Sequence, residues 1–278
     1  MPELPEVETI RRGLRGPLEG ARLRGIRVRD RRLRRPVAVA AIMSLTGRTV
    51  STVGRRGKYL LLHFVDGGGL LIHLGMSGRL LLLTSDSVLD PHDHVCWQLE
   101  GDHLPMGCEM RFRDPRRFGT VLSRAQGDIG KHPVLAGLGP EPFDEAFNAG
   151  YLRHRAARSR RPVKNMLMDA TVVAGLGNIY VSEALWVARV NPKTAAGRIS
   201  LVRWKGVRRA IRDVLESAIA QGGTTLNDFR DASGQAGYFQ VRLQVYGREA
   251  QPCSRCGGQI RRIVQSGRSS FYCPACQH

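Results

Sequence analysis

The chain opens Met-Pro-Glu-Leu-Pro-Glu-Val-Glu. Removal of Met1, common before a small second residue, would leave Pro2 with a secondary amine free on a five-membered ring and the Glu3 carboxylate beside it. A neutral secondary amine is a candidate for covalent catalysis. Its adduct with an electrophilic carbon must be a cationic iminium, because the ring nitrogen has no proton left to lose. A second centre lies near residue 278, where Cys253-x2-Cys256 is followed by sixteen residues and then Cys273-x2-Cys276. Four thiolates in two close pairs can close a tetrahedral shell around one Zn2+. Four protein ligands leave no open position, so such a zinc is structural rather than catalytic.

The remaining candidates are weaker taken singly. In Gly175-Leu-Gly-Asn-Ile-Tyr180, Asn178 suits the N-cap of a following helix, and helix N-termini beside glycines bind phosphate through free N–H groups. An ordinary helix corner is the plainer reading. Met76 in His73-Leu-Gly-Met-Ser-Gly78, with Arg116 and Phe118 in Asp114-Pro-Arg-Arg-Phe-Gly119, sit beside turn residues. Large apolar side chains at loop tips can wedge into a base stack, and Arg116 can fill a space left in a duplex. Packing of Met76 and Phe118 in a core is the reading the sequence alone prefers. Lys58 precedes an apolar strand and is either a surface lysine or a phosphate ligand, and Arg268 follows the turn Ser266-Gly267 with the same two readings. His92, Asp93, His94, Cys96 and Cys108 match no tight metal spacing and are read as structural. No Gly-x-Ser-x-Gly elbow supports a serine nucleophile.

These residues need elements to hold them. Pro5 fits a first helical turn, and Val7, Ile10, Leu14 and Leu18 recur at helical spacing, with Gly16-Pro17 and Gly20 near the end. This helix directs its positive end toward Pro2 and Glu3, which favours a neutral amine. Glu3 opposes the effect. From about 22 to 125 the pattern is β-like, with strands on either side of Asp66-Gly-Gly-Gly69. Residues 131–150 are rich in Gly and Pro and read as a linker. Residues 151–222 read mostly as helix. The stretch between Cys256 and Cys273 fits two short strands around Ser266-Gly267, and so small a unit must take much of its stability from metal. The whole reads as an α+β chain.

With 278 residues the chain is long enough for more than one domain and a sizeable core. It carries 43 Lys+Arg against 24 Asp+Glu, a formal charge of +19. That surplus favours a polyanion, and arginine in excess suits phosphate. No basic amphipathic helix, anchor, targeting signal or membrane-length apolar run is visible. An intracellular setting is expected, where clustered cysteines signify metal more often than disulfide.

In order and approximate spacing, the motifs MPELPEVE, GKYLLL, HLGMSG, DPRRFG, GLGNIY, QGGTTL, GYF with QVYGR, and the four-cysteine hairpin resemble the formamidopyrimidine-DNA glycosylases, bacterial base-excision enzymes related to endonuclease VIII. The resemblance covers nearly the whole chain. It implies an N-terminal helix plus two-layered β-sandwich over 1–135, a helical domain with a helix–two-turn–helix motif over 136–245, and a zinc β-hairpin over 246–278. Damaged double-stranded DNA would lie between domains. Pro2 would attack C1′ of the damaged nucleotide, Glu3 would assist proton transfer and Lys58 would contact a phosphate near the lesion. Asn178 and Arg268 would grip the flanking phosphates. Met76, Arg116 and Phe118 would fill the gap left by the everted base, and residues 231–239 would cover it. The implied protein acts as a monomer in the bacterial cytoplasm and cuts by β,δ-elimination after excising oxidised purines. Two other readings remain at this stage: preference for oxidised pyrimidines, and a zinc-ribbon protein that binds damaged DNA without cutting it.

Overall fold

The structure is a computed structural model that describes residues 2–222 and 243–278. Residues 231–239, expected to cover the everted base, lie outside the described residues. The described chain divides into two compact units, one running to Ala136 and the other comprising Gly137–Gln221 and the chain from residue 243.

The first unit begins with helix α1 (Leu4–Leu18), followed by β1 (Arg22–Val28), the short helix α2 (Val39–Met43) and strands β2 (Val50–Arg56), β3 (Tyr59–Phe64), β4 (Gly69–His73), β5 (Arg79–Thr84), β6 (Asp93–Glu100), β7 (Cys108–Arg113) and β8 (Thr120–Arg124). A 3-10 turn, Ile129–Lys131, and α3 (Pro133–Ala136) close it. Two antiparallel four-stranded sheets form, in the orders β2-β3-β4-β8 and β1-β6-β7-β5. One core cluster joins them: Leu62, Leu70 and Ile72 from the first sheet meet Val95, Trp97, Met110 and Phe112 from the second. Val7, Ile10, Leu14 and Leu18 of α1 belong to the same core, as their helical spacing predicts. The helix ends where Gly16-Pro17 and Gly20 are expected to help end it: Pro17 lies within the last turn, α1 runs to Leu18, and Gly20 has φ +88°.

The second unit contains α4 (Ala149–Ala156), α5 (Val163–Leu167), α6 (Asn178–Val187) and α7 (Leu201–Ala220), then β9 (Arg261–Gln265) and β10 (Arg268–Tyr272). The helical reading from 151 onward is interrupted between α4 and α5. Arg158 there has φ +58°, and Pro162 precedes α5 without an N–H to continue a helix. Phe147, Tyr180, Leu185, Trp204 and Ile211 form the helical core. The β9–β10 hairpin has its own small cluster of Trp186, Val245, Cys253, Ile260, Cys273 and Cys276. Ser266 and Gly267 both have positive φ, the requirement of a two-residue hairpin turn of the primed kind. Among the described residues no helix is long and apolar enough to cross a membrane.

Candidate active site

Glu3 is the N-cap of α1, and a reciprocal box holds it: its backbone N–H donates to Glu6 Oε2 at 2.8 Å, and its carboxylate accepts from the Glu6 backbone N–H. Both side chains are buried, at 3% and 1% exposure. The box fixes the peptide joining half-buried Pro2 to Glu3 and holds the Glu3 carboxylate at the positive end of the helix. Sequence reasoning passed over Glu6, although an acidic residue three positions after a cap, ahead of an apolar run, carries the signal. Farther along α1, Glu8 pairs with Arg11 and Arg12 on its own helix and with Arg55 of β2 at 3.1 Å. Burial works to raise its pKa, but the three guanidiniums prevail and hold it at about 2. This pairing ties the helix to the sheet beneath it.

Lys58 stands in the two-residue loop that joins β2 to β3, after Gly57 with φ +56°. On the neighbouring strand, His73 is paired with Tyr59, and their ring centroids lie 4.8 Å apart. Burial, then the charges of Lys58 and Arg34, push the His73 pKa down to about 4. The neutral ring accepts a hydrogen bond at Nδ1 from the Gly75 backbone N–H, 3.0 Å away. The charge of Lys58 thus helps keep neutral the ring that accepts from the loop bearing Met76.

That loop and the 114–119 loop are fastened together. Gly75 has φ +64°, and a Cβ built on it would overlap the Phe118 backbone carbonyl, so no other residue permits this approach without a shift. Asp114 is fully buried and accepts from Ser77 Oγ at 2.5 Å and from the Gly119 N–H at 2.7 Å. Ser77 Oγ in turn accepts from the Arg116 N–H at 3.2 Å. Met76 and Phe118 emerge 47% and 43% exposed, so the core packing preferred from sequence is overturned. The Arg116 guanidinium lies 4.7 Å from the Phe118 ring centroid. The result is an exposed apolar and cationic ridge on rigid supports. Sequence reasoning missed Asp114 as its fastening, because the partners of a loop carboxylate depend on which distant loop arrives beside it.

In the second unit the cap of α6 is Gly177, not Asn178, which is the first helical residue. Its amide is used elsewhere: Asn178 Nδ2 donates to Ser269 O at 3.0 Å, tying α6 to β10. Lys164 of α5, 1% exposed, joins the same junction, donating from Nζ to Ser269 O at 2.8 Å and to Ser270 Oγ at 2.6 Å. The first of these contacts is to the residue directly after exposed Arg268. Nothing in the sequence distinguished Lys164 from its many basic neighbours. Glu183 of α6 holds the chain that leads to the hairpin, accepting from the N–H groups of Gln244, Val245 and Tyr246.

Cys253, Cys256, Cys273 and Cys276 place their sulfurs within 4.8 Å of one another, with Cys256 and Cys273 at 3.5 Å. A tetrahedral zinc with Zn–S near 2.3 Å needs S···S edges of about 3.8 Å. Without a cation, burial and then the adjoining thiols push Cys276 up to about 12. A dication removes that obstacle to ionisation. Both the spacing and the donor set fit one structural Zn2+. Among the described residues this is the one cluster with that capacity, and His92, His94, Cys96 and Cys108 form no second one.

The profile of the formamidopyrimidine-DNA glycosylase N-terminal domain matches residues 1–121, that of its H2TH domain residues 138–230, and a zinc finger found in FPG and IleRS residues 250–278. The chain is 48% identical over 277 residues to a formamidopyrimidine-DNA glycosylase of Methylococcus capsulatus, covering 100% of both. Among solved structures it is similar to the MutM (FPG) protein of Thermus thermophilus, with TM-score 0.85, 41% identity and 99% and 98% of the two chains covered. It is also similar to the Lactococcus lactis enzyme non-covalently bound to DNA containing an AP site, with TM-score 0.86, 32% identity and 99% of each chain covered.

Proposed function

The chain belongs to the formamidopyrimidine-DNA glycosylase family, and from that premise we propose that it excises oxidised purines from double-stranded DNA and then cuts the strand as an abasic-site lyase. The observation that carries the reading is similarity over the full length to enzymes of that name, three domain profiles included. The Pro2–Glu3 pair, held by a box at the positive end of α1, supports the chemistry.

With Met1 removed, the neutral Pro2 nitrogen attacks C1′ and the glycosidic bond breaks, the base leaving with the bonding pair and a proton. Glu3 takes the proton that the attacking nitrogen sheds and delivers it to the ring oxygen as the sugar opens, which leaves the nitrogen as an iminium, while the proton on the departing base comes from water. That cation withdraws electrons from C2′, whose proton leaves, and β-elimination expels the 3′ phosphate. A second elimination expels the 5′ phosphate. Each step is easier than direct displacement, which is the benefit of covalent catalysis. Extrusion of the base costs a few kcal/mol, less for a damaged one. Met76, Arg116 and Phe118 offset it by occupying the vacated space. Lys58 holds a phosphate near the lesion, and Arg268 and Asn178, the latter through its backbone N–H in the first turn of α6, hold the flanking ones. The zinc, when bound, fixes the hairpin that carries Arg268. We place the protein in the bacterial cytoplasm, acting on the chromosome as a monomer.

The test uses protein whose N-terminus is shown by mass spectrometry to be Pro2. Borohydride reduction with an 8-oxoguanine duplex should trap a covalent adduct, and protein retaining Met1, whose Pro2 nitrogen is an amide, should give none. No adduct with the processed protein would sink the mechanism and leave a binding protein. Faster nicking of a thymine-glycol duplex than of the 8-oxoguanine duplex would overturn the purine preference.

A further inference from the structure

Away from the hairpin junction, the second unit has two adjoining hollows, of about 720 Å³ and 540 Å³, that share Gly197 and Arg198. The larger is lined by Arg158, Arg160, Lys193 and Arg198, and the smaller adds Arg153 and His154. Neither is lined by an Asp or Glu among the described residues, and Arg158, Arg160, Lys193 and Arg198 are all at least partly exposed. No carboxylate pairs with these four among the described residues, whereas Arg15, Arg24 and Arg209 elsewhere have acidic partners.

The floor is rigid. The Gly197 N–H donates to Ser159 O at 3.0 Å, the Ala196 N–H to Arg161 O at 2.9 Å and the Val163 N–H to Thr194 O at 2.8 Å. A Cβ at Gly197 would lie 2.8 Å from Ser159 O, so glycine is what permits the two walls to meet. Arg158 is held in the left-handed region, a conformation unfavourable for a non-glycine residue that these staples maintain. The smaller hollow is also lined by Ser200 and Leu201, the cap and first residue of the twenty-residue helix α7, whose positive end adds to the same field.

The hollows also continue the hairpin edge. Gln265 and Arg268 are cross-strand partners, so their side chains leave the same face of the hairpin. Gln265 Nε2 donates to Pro192 O at 3.2 Å, beside Lys193, and the Lys193 Nζ lies 5.5 Å from the Tyr272 ring centroid. A row of cations thus passes from Arg268 through Lys193 to Arg198.

We propose that this double hollow is a second phosphate-backbone site, which grips duplex DNA beyond the phosphates flanking the lesion. It rests on the reading of the protein as DNA-binding but not on its glycosylase chemistry. The concave lining, free of Asp and Glu side chains among the described residues, suits a phosphodiester chain, and no base-reading geometry is implied, so the contact is independent of sequence.

The test compares full-length, zinc-loaded protein with the variant R158Q/R160Q/K193Q/R198Q and with a charge-matched control, R15Q/R22Q/R24Q/R209Q. Affinity is measured over a salt series for lesion duplexes of about 10 and about 30 base pairs, each phosphate contact contributing about 0.9 to the log–log salt slope. On the long duplex the hollow variant should bind at least about tenfold more weakly, with a slope smaller by about 2–4, while the control changes little. On the short duplex the variant should match the wild type, and single-turnover excision at saturation should be unchanged. An unchanged slope on the long duplex, an equal loss in the control, or an equal loss on the short duplex would each overturn the proposal. An undamaged duplex of about 30 base pairs reads the hollow even if no excision occurs, so the two readings fail separately.

Discussion

Met76, Arg116 and Phe118 stand on loops fastened to a sandwich whose core includes Trp97, Met110 and Phe112, all fully buried. Arg268 stands on a hairpin of two five-residue strands whose cluster consists of three cysteines, Trp186, Val245 and Ile260. Both present cations and exposed surface for the same proposed ligand. The first is positioned by packing, by the Asp114 carboxylate and by close backbone contact at Gly75. The second depends on four thiolates and a metal for its fold, and on Lys164 and Asn178 for its placement against the helices. A large core can hold a loop to a fixed geometry with a few hydrogen bonds, whereas a unit of about thirty residues cannot and must use a stronger cross-link.

That contrast breaks most readily at the metal. Chelation, or Cys276→Ser, should unfold residues 246–278 while the sandwich keeps its own thermal transition, the metal contributing an apparent ~10–16 kcal/mol in comparable fingers. Hydrogen exchange by mass spectrometry resolves the two regions. Protection of the hairpin without metal would refute the distinction. Gly75→Ala tests the sandwich side: steric overlap and a left-handed φ together should cost about 2–4 kcal/mol in chemical denaturation. The same variant should leave hairpin protection untouched. Lys164→Met strips Ser269 O and Ser270 Oγ of a charged donor and should cost about 1.5–3 kcal/mol of second-unit stability. It should also weaken binding of a lesion duplex by displacing Arg268, with the sandwich transition unmoved. The most conditional effect, present only in acid, is that of pH on the Met76 loop. The folded His73 pKa lies at about 4, below the ordinary 6.5. Its stabilisation is therefore complete above pH 6.5 and declines as pH falls toward 4, where protonation also removes the acceptor for the Gly75 N–H. Replacing His73 by Gln should flatten stability across that interval by up to about 3 kcal/mol, at about 1.4 kcal/mol for each unit by which the His73 pKa is displaced.

Much of this is legible without any coordinates. The cysteine spacing announces its metal, and the sequence places the hairpin turn correctly at Ser266-Gly267. The period of Val7, Ile10, Leu14 and Leu18 locates α1 and its buried face. Loop residues read less well. The general preference of large apolar side chains for a core points Met76 and Phe118 inward, and both are exposed. Residue type makes Asn178 a cap, whereas Gly177 caps and Asn178 reaches β10. The roles of Asp114 and Lys164 go unread, since a lone carboxylate or lysine carries no periodic signal, whereas the spacing of Glu6 from Glu3 is a capping signal that was passed over.

What the sequence determined alone were features written in local spacing: helix and strand periods, the turn, the paired thiols, and the proline next to an acid near the start. Only the tertiary structure decided which polar groups fasten which loops, because Asp114 meets Ser77 across 37 positions and Lys164 meets Ser270 across 106. A buried hydrogen bond is defined by the arrival of a partner from elsewhere in the chain, and its strength comes from excluding water once both have arrived.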